Sequence, residues 1–248
     1  MAKRQTRAMP VNSDDSKVTS LFHSTSNWDP LGSDEDRRDQ SYLKTVKPRT
    51  DNQEALMRAI DSHALTIAIG PAGTGKTYLA VAKAVEALNA GRVARIVITR
   101  PVVEAGESLG FLPGDINEKM DPWMRPIYDA LSDRLGAKQV RQMVKDGTVE
   151  VAPLAYMRGR TISRSFLVVD EAQNMTFMQI KMLLTRLGWH STMVITGDPD
   201  QSDLLPGVSG LADAVQRLEA LDGAAIIRLT AQDIVRHPLV AAMMPLLA

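Results

Sequence analysis

Residues 70–77 read Gly-Pro-Ala-Gly-Thr-Gly-Lys-Thr, with three glycines, a lysine and a hydroxyl at the spacing that cradles phosphate. Glycines at 70, 73 and 75 let the backbone curl until its N–H groups face phosphate oxygens. Pro71, Ala72 and Thr74 complete the loop. Lys76 has the reach for the β- and γ-phosphates, and the Thr77 hydroxyl suits Mg²⁺. A helix-patterned stretch follows at once, so the positive end of a helix dipole adds to the attraction. The chemistry to expect is binding of a nucleoside triphosphate with Mg²⁺.

A second constellation lies downstream. Phe166-Leu167-Val168-Val169-Asp170-Glu171 is an apolar run ending in two acids. Behind a phosphate loop, the first acid, Asp170, suits the Mg²⁺ shell, and Glu171 suits a base that polarises water. Small-molecule kinases and GTPases of the phosphate-loop class usually lack that base, and the chain has no Asn-Lys-x-Asp guanine-reading motif. ATP hydrolysis is therefore expected ahead of phosphotransfer to a small molecule. A third segment, Gly197-Asp198-Pro199-Asp200-Gln201, offers Gln201, whose amide can sense the γ-phosphate or orient the water. Gln53 lies upstream, where superfamily 1 helicases carry a Gln that reads the adenine edge.

These residues need a scaffold. Candidate strands are 65–69, 94–99, 149–151, 166–170, 192–196 and 225–229, with helical patterns at 78–89, 176–187 and 209–221 between most of them. Thr50-Asp51-Asn52-Gln53 fits a capping box opening a helix to about Ser62. Continuously apolar strands alternating with helices predict a parallel, doubly wound α/β sheet. In the RecA-like class of such folds, the strand after the acid pair inserts between the strand ending in Asp170 and the phosphate-loop strand. The interval 100–148 breaks the rhythm with four prolines and reads as a Pro-rich insertion, functional rather than decorative. Its Trp123 and Tyr128 are expected to pack against the sheet rather than stack on bases.

Composition bounds the rest. The 248 residues suffice for one α/β domain, and residues 1–47 read as a polar, flexible tail ahead of a domain at 48–248. Val18 to Phe22 is the tail's one apolar cluster. Net charge is zero and cysteine is absent, so no bulk basic field or thiol chemistry is at work. A basic start without an apolar core, and no run of 18 apolar residues, predict a soluble cytoplasmic protein without a membrane span.

Several segments together resemble the PhoH-like family of phosphate-starvation-inducible ATPases. They are Ile98 to Pro101 (ITRP), Leu109 to Asp115 (LGFLPGD), Met157 to Thr161 (MRGRT), Asp170 to Asn174 (DEAQN), the GDPDQ segment and Val235 to Leu239 (VRHPL). The resemblance covers about residues 50 to 240 and not the tail before 48. It implies a RecA-like core related to superfamily 1 helicases, ATP and Mg²⁺ binding, ATP hydrolysis, and action on RNA. Asp200 departs from the family's usual Thr before the Gln, which adds negative charge near the γ-phosphate end.

Superfamily 1 helicases place ATP between two such cores, the second supplying arginines. This sequence holds one core, so a homo-oligomer, expected as a hexameric ring, would let a neighbour supply the arginine, with Arg236 the candidate; the alternatives are a contact from Arg236 to the γ-phosphate within its own chain, or a simple salt bridge. Arg100, Arg158 and Arg160 are candidates for single-stranded RNA phosphates. The expected function is Mg²⁺-dependent ATP hydrolysis coupled to RNA binding or remodelling. The alternative is an ATP-dependent switch acting on protein partners.

Overall fold

The computed structural model describes residues 45–101, 116–235 and 243. The Val18–Phe22 cluster, Leu109–Asp115, the side chain of Trp123 and Arg236 lie outside what is described. Helix α1 spans Asp51–Ser62, followed by β1, Leu65–Ile69, and α2, Lys76–Asn89. Next come β2, Arg95–Arg100, α3, Ile116–Leu135, and α4, Ala137–Lys145. The second half holds β3, Val149–Pro153, β4, Ser165–Val169, α5, Phe177–Leu184, and β5, Thr192–Gly197. It ends with α6, Leu211–Leu218, and β6, Ala224–Arg228.

The six strands form one sheet in the order β3-β2-β4-β5-β1-β6, and every pairing is parallel. β5 therefore inserts between β4 and β1, as expected of a RecA-like core. The interior strands point alternate residues to opposite faces. Phe166, Val168 and Val194 join the core beneath α1 to α4, whereas Leu167, Val169, Met193 and Ile195 join the one beneath α5 and α6. Two covered faces explain why these strands read as unbroken apolar runs. The fold is a three-layer α/β P-loop domain.

The Pro-rich interval is more regular than its composition suggests. Residues 116–145 form two helices, and α3 carries Pro122 and Pro126 within its length. An interior proline removes a helix hydrogen bond and typically costs about 3 kcal/mol. Tertiary packing offsets that cost: Met124, Ile127 and Leu131 are buried in the core shared with α1 and α2. Tyr128 also packs there, as expected of it.

Candidate active site

The phosphate loop leaves the C-terminal end of β1 and enters α2 through Gly75, which has φ 85° and ψ 11°. No side chain caps this helix start, so its first N–H groups are left for an anion. Gly70 is held where only glycine fits. Its N–H donates to the Gly197 carbonyl at 3.2 Å. A Cβ there would lie 2.3 Å from the Leu229 carbonyl oxygen. The Lys76 ammonium donates to the carbonyls of Gly70 at 2.5 Å and Pro71 at 2.8 Å. Burial pushes the Lys76 amine below its ordinary range, and the carboxylates of Asp198, Glu171 and Asp170 only partly offset this. The lysine is thus within electrostatic reach of all three acids.

Two elements brace the loop from outside. Gln53, buried on the first turn of α1, donates from Nε2 to the Thr74 carbonyl at 3.1 Å and accepts from the Arg49 N–H at 2.9 Å. Thr50 caps α1 by accepting from the Gln53 N–H. The expected box is therefore only half built, because the Gln53 side chain bypasses Thr50 and bonds the residue before it. The second brace is the strap after β6. The Val235 N–H donates to the Gly73 carbonyl at 3.0 Å, and the buried Asp233 accepts from Asn52 Nδ2 at 2.9 Å. Burial alone would raise the Asp233 pKa, but hydrogen bonds from Thr50, Thr230 and Asn52 outweigh it and hold the carboxyl below its usual range.

The acids come from the end of β4. Asp170 Oδ1 accepts from the Thr77 hydroxyl at 2.6 Å and from the Thr196 hydroxyl at 2.7 Å. The two residues expected to serve Mg²⁺ therefore touch. Their hard oxygen donors fit that ion, which favours one or two protein ligands completed by water and phosphate. Among the described residues no group of three or more His, Asp or Glu could hold a metal unaided. Glu171 follows in the left-handed region, with φ 53° and ψ 43°. Such a conformation costs a non-glycine residue about 1–3 kcal/mol and recurs at functional sites.

Arg100 and Gln173 flank Glu171. Arg100 Nη2 lies 3.1 Å from Glu171 Oε1, and its Nη1 lies 3.7 Å from Asp170 Oδ2. Gln173 Nε2 donates to Glu171 Oε2 at 2.6 Å. Gln173 is not among the residues expected at the site, although it lies within the DEAQN segment, which carries no sign of what its side chain touches. A cleft of about 470 Å³ opens from Thr77, Asp170 and Glu171 towards Pro126, Asp129 and Asp133 of α3. A larger cleft of about 790 Å³ lies at the opposite ends of the strands, beside Trp189, and carries none of these site residues.

The remaining expected residues are less central. Gln201 is exposed in the turn after β5, its N–H donating to the Asp198 carbonyl at 3.1 Å. Arg160 pairs bidentately with Glu150 at 2.5 and 2.7 Å and holds that carboxyl below its usual range. Arg158 is exposed, and among the described residues no acid pairs with it.

The profile of a family described as PhoH-like protein matches residues 45–248. A PhoH-like protein of Bacillus subtilis (strain 168) is 55% identical over 199 residues, 80% of this chain and 62% of that protein. Protein PhoH of Escherichia coli (strain K12) is 45% identical over 240 residues, 96% of this chain and 66% of that protein. The second similarity extends ahead of residue 45 into the polar segment, further than the quoted motifs reach. The chain spans under two thirds of either relative. Among solved structures, the large terminase from a thermophilic bacteriophage is similar with a TM-score of 0.47 at 10% identity, over 79% of this chain and 49% of that one. The Pif1 helicase from Candida albicans is similar with a TM-score of 0.38 at 13% identity, over 75% and 41%. A profile that takes in the whole sheet, with relatives about half identical across it, makes this chain a member of the PhoH family.

Proposed function

We propose that the protein hydrolyses ATP with Mg²⁺ and couples hydrolysis to the binding or remodelling of single-stranded RNA. The observation that carries the enzymatic part is the 2.6 Å contact between Thr77 and Asp170, which joins the phosphate loop to the acids. The uncapped start of α2 and the Lys76 ammonium would receive the β- and γ-phosphates. Thr77 and Asp170 would hold Mg²⁺, which would supply neutralisation of phosphate charge when bound. Glu171 accepts a proton from the attacking water.

Support for the RNA part rests on Arg158, which is exposed at the end of the turn after β3. A head-to-tail homo-oligomer would let Arg236 of a neighbouring copy complete the charge stabilisation; the bond from the Val235 N–H to the Gly73 carbonyl of the same chain favours the alternative, a contact from Arg236 to the γ-phosphate of its own site. One observation favours the second reading, an ATP-dependent switch on protein partners: Arg100 and Arg160 are both engaged by acids.

ATPase rates with and without single-stranded RNA, on the wild type and Glu171→Gln, test the proposal. Stimulation by RNA supports coupling, and indifference favours the switch. Equal rates for wild type and Glu171→Gln would remove Glu171 as the base.

A further inference from the structure

We infer that Gln173 is the positioning residue for the hydrolytic base, the second arm of a clamp whose first arm is Arg100. The inference rests on the reading of Glu171 as that base. Both oxygens of its carboxylate are engaged, Oε1 by Arg100 at 3.1 Å and Oε2 by Gln173 Nε2 at 2.6 Å. A carboxylate held at both oxygens cannot rotate about its terminal bond, which is the freedom that a base in the left-handed turn at 171 would otherwise retain.

The other end of the Gln173 amide is equally committed. Its Oε1 accepts from the Asp198 N–H at 3.1 Å, and its backbone carbonyl accepts from the Ser202 hydroxyl at 3.0 Å. The orientation of the amide follows from chemistry. A carboxylate only accepts and a backbone N–H only donates, so the nitrogen must face Glu171 and the oxygen Asp198. Gly197 makes room for this contact: a Cβ there would lie 3.0 Å from Gln173 Oε1 and 2.6 Å from Leu211 Cδ2. Gln173 is 4% exposed, so water cannot substitute for either partner without a rearrangement. A single side chain thus fixes the base against the segment that leaves β5.

Arg100 supplies the countercharge. It stands at the end of β2, the strand beside β4, and reaches both Asp170 and Glu171. Gln173 connects the base to the far side of the site.

The test is a kinetic cycle on the full chain: wild type, Glu171→Gln, Gln173→Ala and the double variant, with kcat and KM for Mg·ATP and a thermal melt for each. A positioning role predicts that Gln173→Ala lowers kcat about 10- to 100-fold, the range of an ångström-scale misplacement, with KM within about threefold. In the Glu171→Gln background the same change should add nothing, because groups that act through one another are not additive. Additive losses, or an unchanged kcat in Gln173→Ala while Glu171→Gln is inactive, would overturn the clamp and leave the base intact. A fully active Glu171→Gln would instead remove the base, and the clamp with it. Should Gln173→Ala fail to fold, Gln173→Met keeps the length and bulk of the side chain and removes, without adding charge, the N–H that reaches Glu171 and the acceptor for Asp198. A purely structural role predicts wild-type kcat for that variant, and the clamp predicts a comparable loss.

Discussion

The two halves of the active site are built differently. The phosphate half is made mainly of backbone, with glycine torsions, an uncapped helix start and a strap whose Val235 N–H bonds the loop, braced by the side chains of Gln53 and Asp233. The acid half is a web of side chains, in which Thr77, Thr196, Arg100 and Gln173 fix two carboxylates. Backbone geometry resists single substitutions except at the glycines themselves. A side-chain web can be cut anywhere, with the cost falling on whatever it orients. Damage to the first half should therefore appear as lost binding or folding, and damage to the second as lost turnover.

The largest expected effect separates the halves most clearly. Glu171→Gln should lower kcat about 10²- to 10⁴-fold, the usual worth of a general base, while binding of a non-hydrolysable ATP analogue persists. Calorimetry beside steady-state kinetics would show it, and a parallel loss of affinity would break the division.

Lys76→Ala should do the reverse. Removing a charge-assisted contact worth about 1.5–3 kcal/mol should weaken ATP binding about 10- to 100-fold, measurable by titration of a fluorescent analogue.

Gly70→Ala should act on the fold. The φ of 145° alone costs a side-chain-bearing residue about 1–3 kcal/mol, and its Cβ would strike the Leu229 carbonyl. A lower melting temperature, with weaker stabilisation by added ATP, is the expected result.

Asp233→Asn should loosen the strap by about 1–3 kcal/mol, since a buried charged acceptor is lost. Because the folded pKa of Asp233 is depressed, its stabilisation is complete above its ordinary value of 3.8 and is lost as pH falls through the lowered one. Denaturation midpoints measured down the acid range should thus fall less steeply in the variant than in the wild type.

The smallest effect concerns the periphery. Arg158→Ala should leave basal turnover unchanged and reduce the salt slope of RNA binding by about one. Arg160→Ala should instead act on stability through Glu150. Equal effects on RNA binding would erase that distinction.

The same contrast explains what the sequence discloses. The phosphate loop is contiguous, so its eight residues announce themselves, and the strand pattern around them yields a parallel sheet with β5 inserted as expected. The acid pair is also contiguous. Gln173 is not legible, because its meaning depends on Asp198 arriving beside it from the next strand. Arg100 reads as a nucleic-acid contact because its position at a strand end carries no sign of the acids at the neighbouring strand's end. Helix α3 is hidden by Pro122 and Pro126, although Met124, Ile127 and Leu131 already carry the spacing of a buried helical face.

The order of the strands has a consequence for biosynthesis. β1 emerges early from the ribosome, yet its neighbours are the last two strands, with Leu65 facing Met193 on one side and Ala224 on the other. Pairings so distant along the chain are slow to close and leave edges open to aggregation meanwhile. Nascent or truncated products would carry the full phosphate-loop motif without the neighbours that shape it. ATP should accordingly select for finished chains, and retention on immobilised nucleotide would serve as a proofreading assay for completed folding.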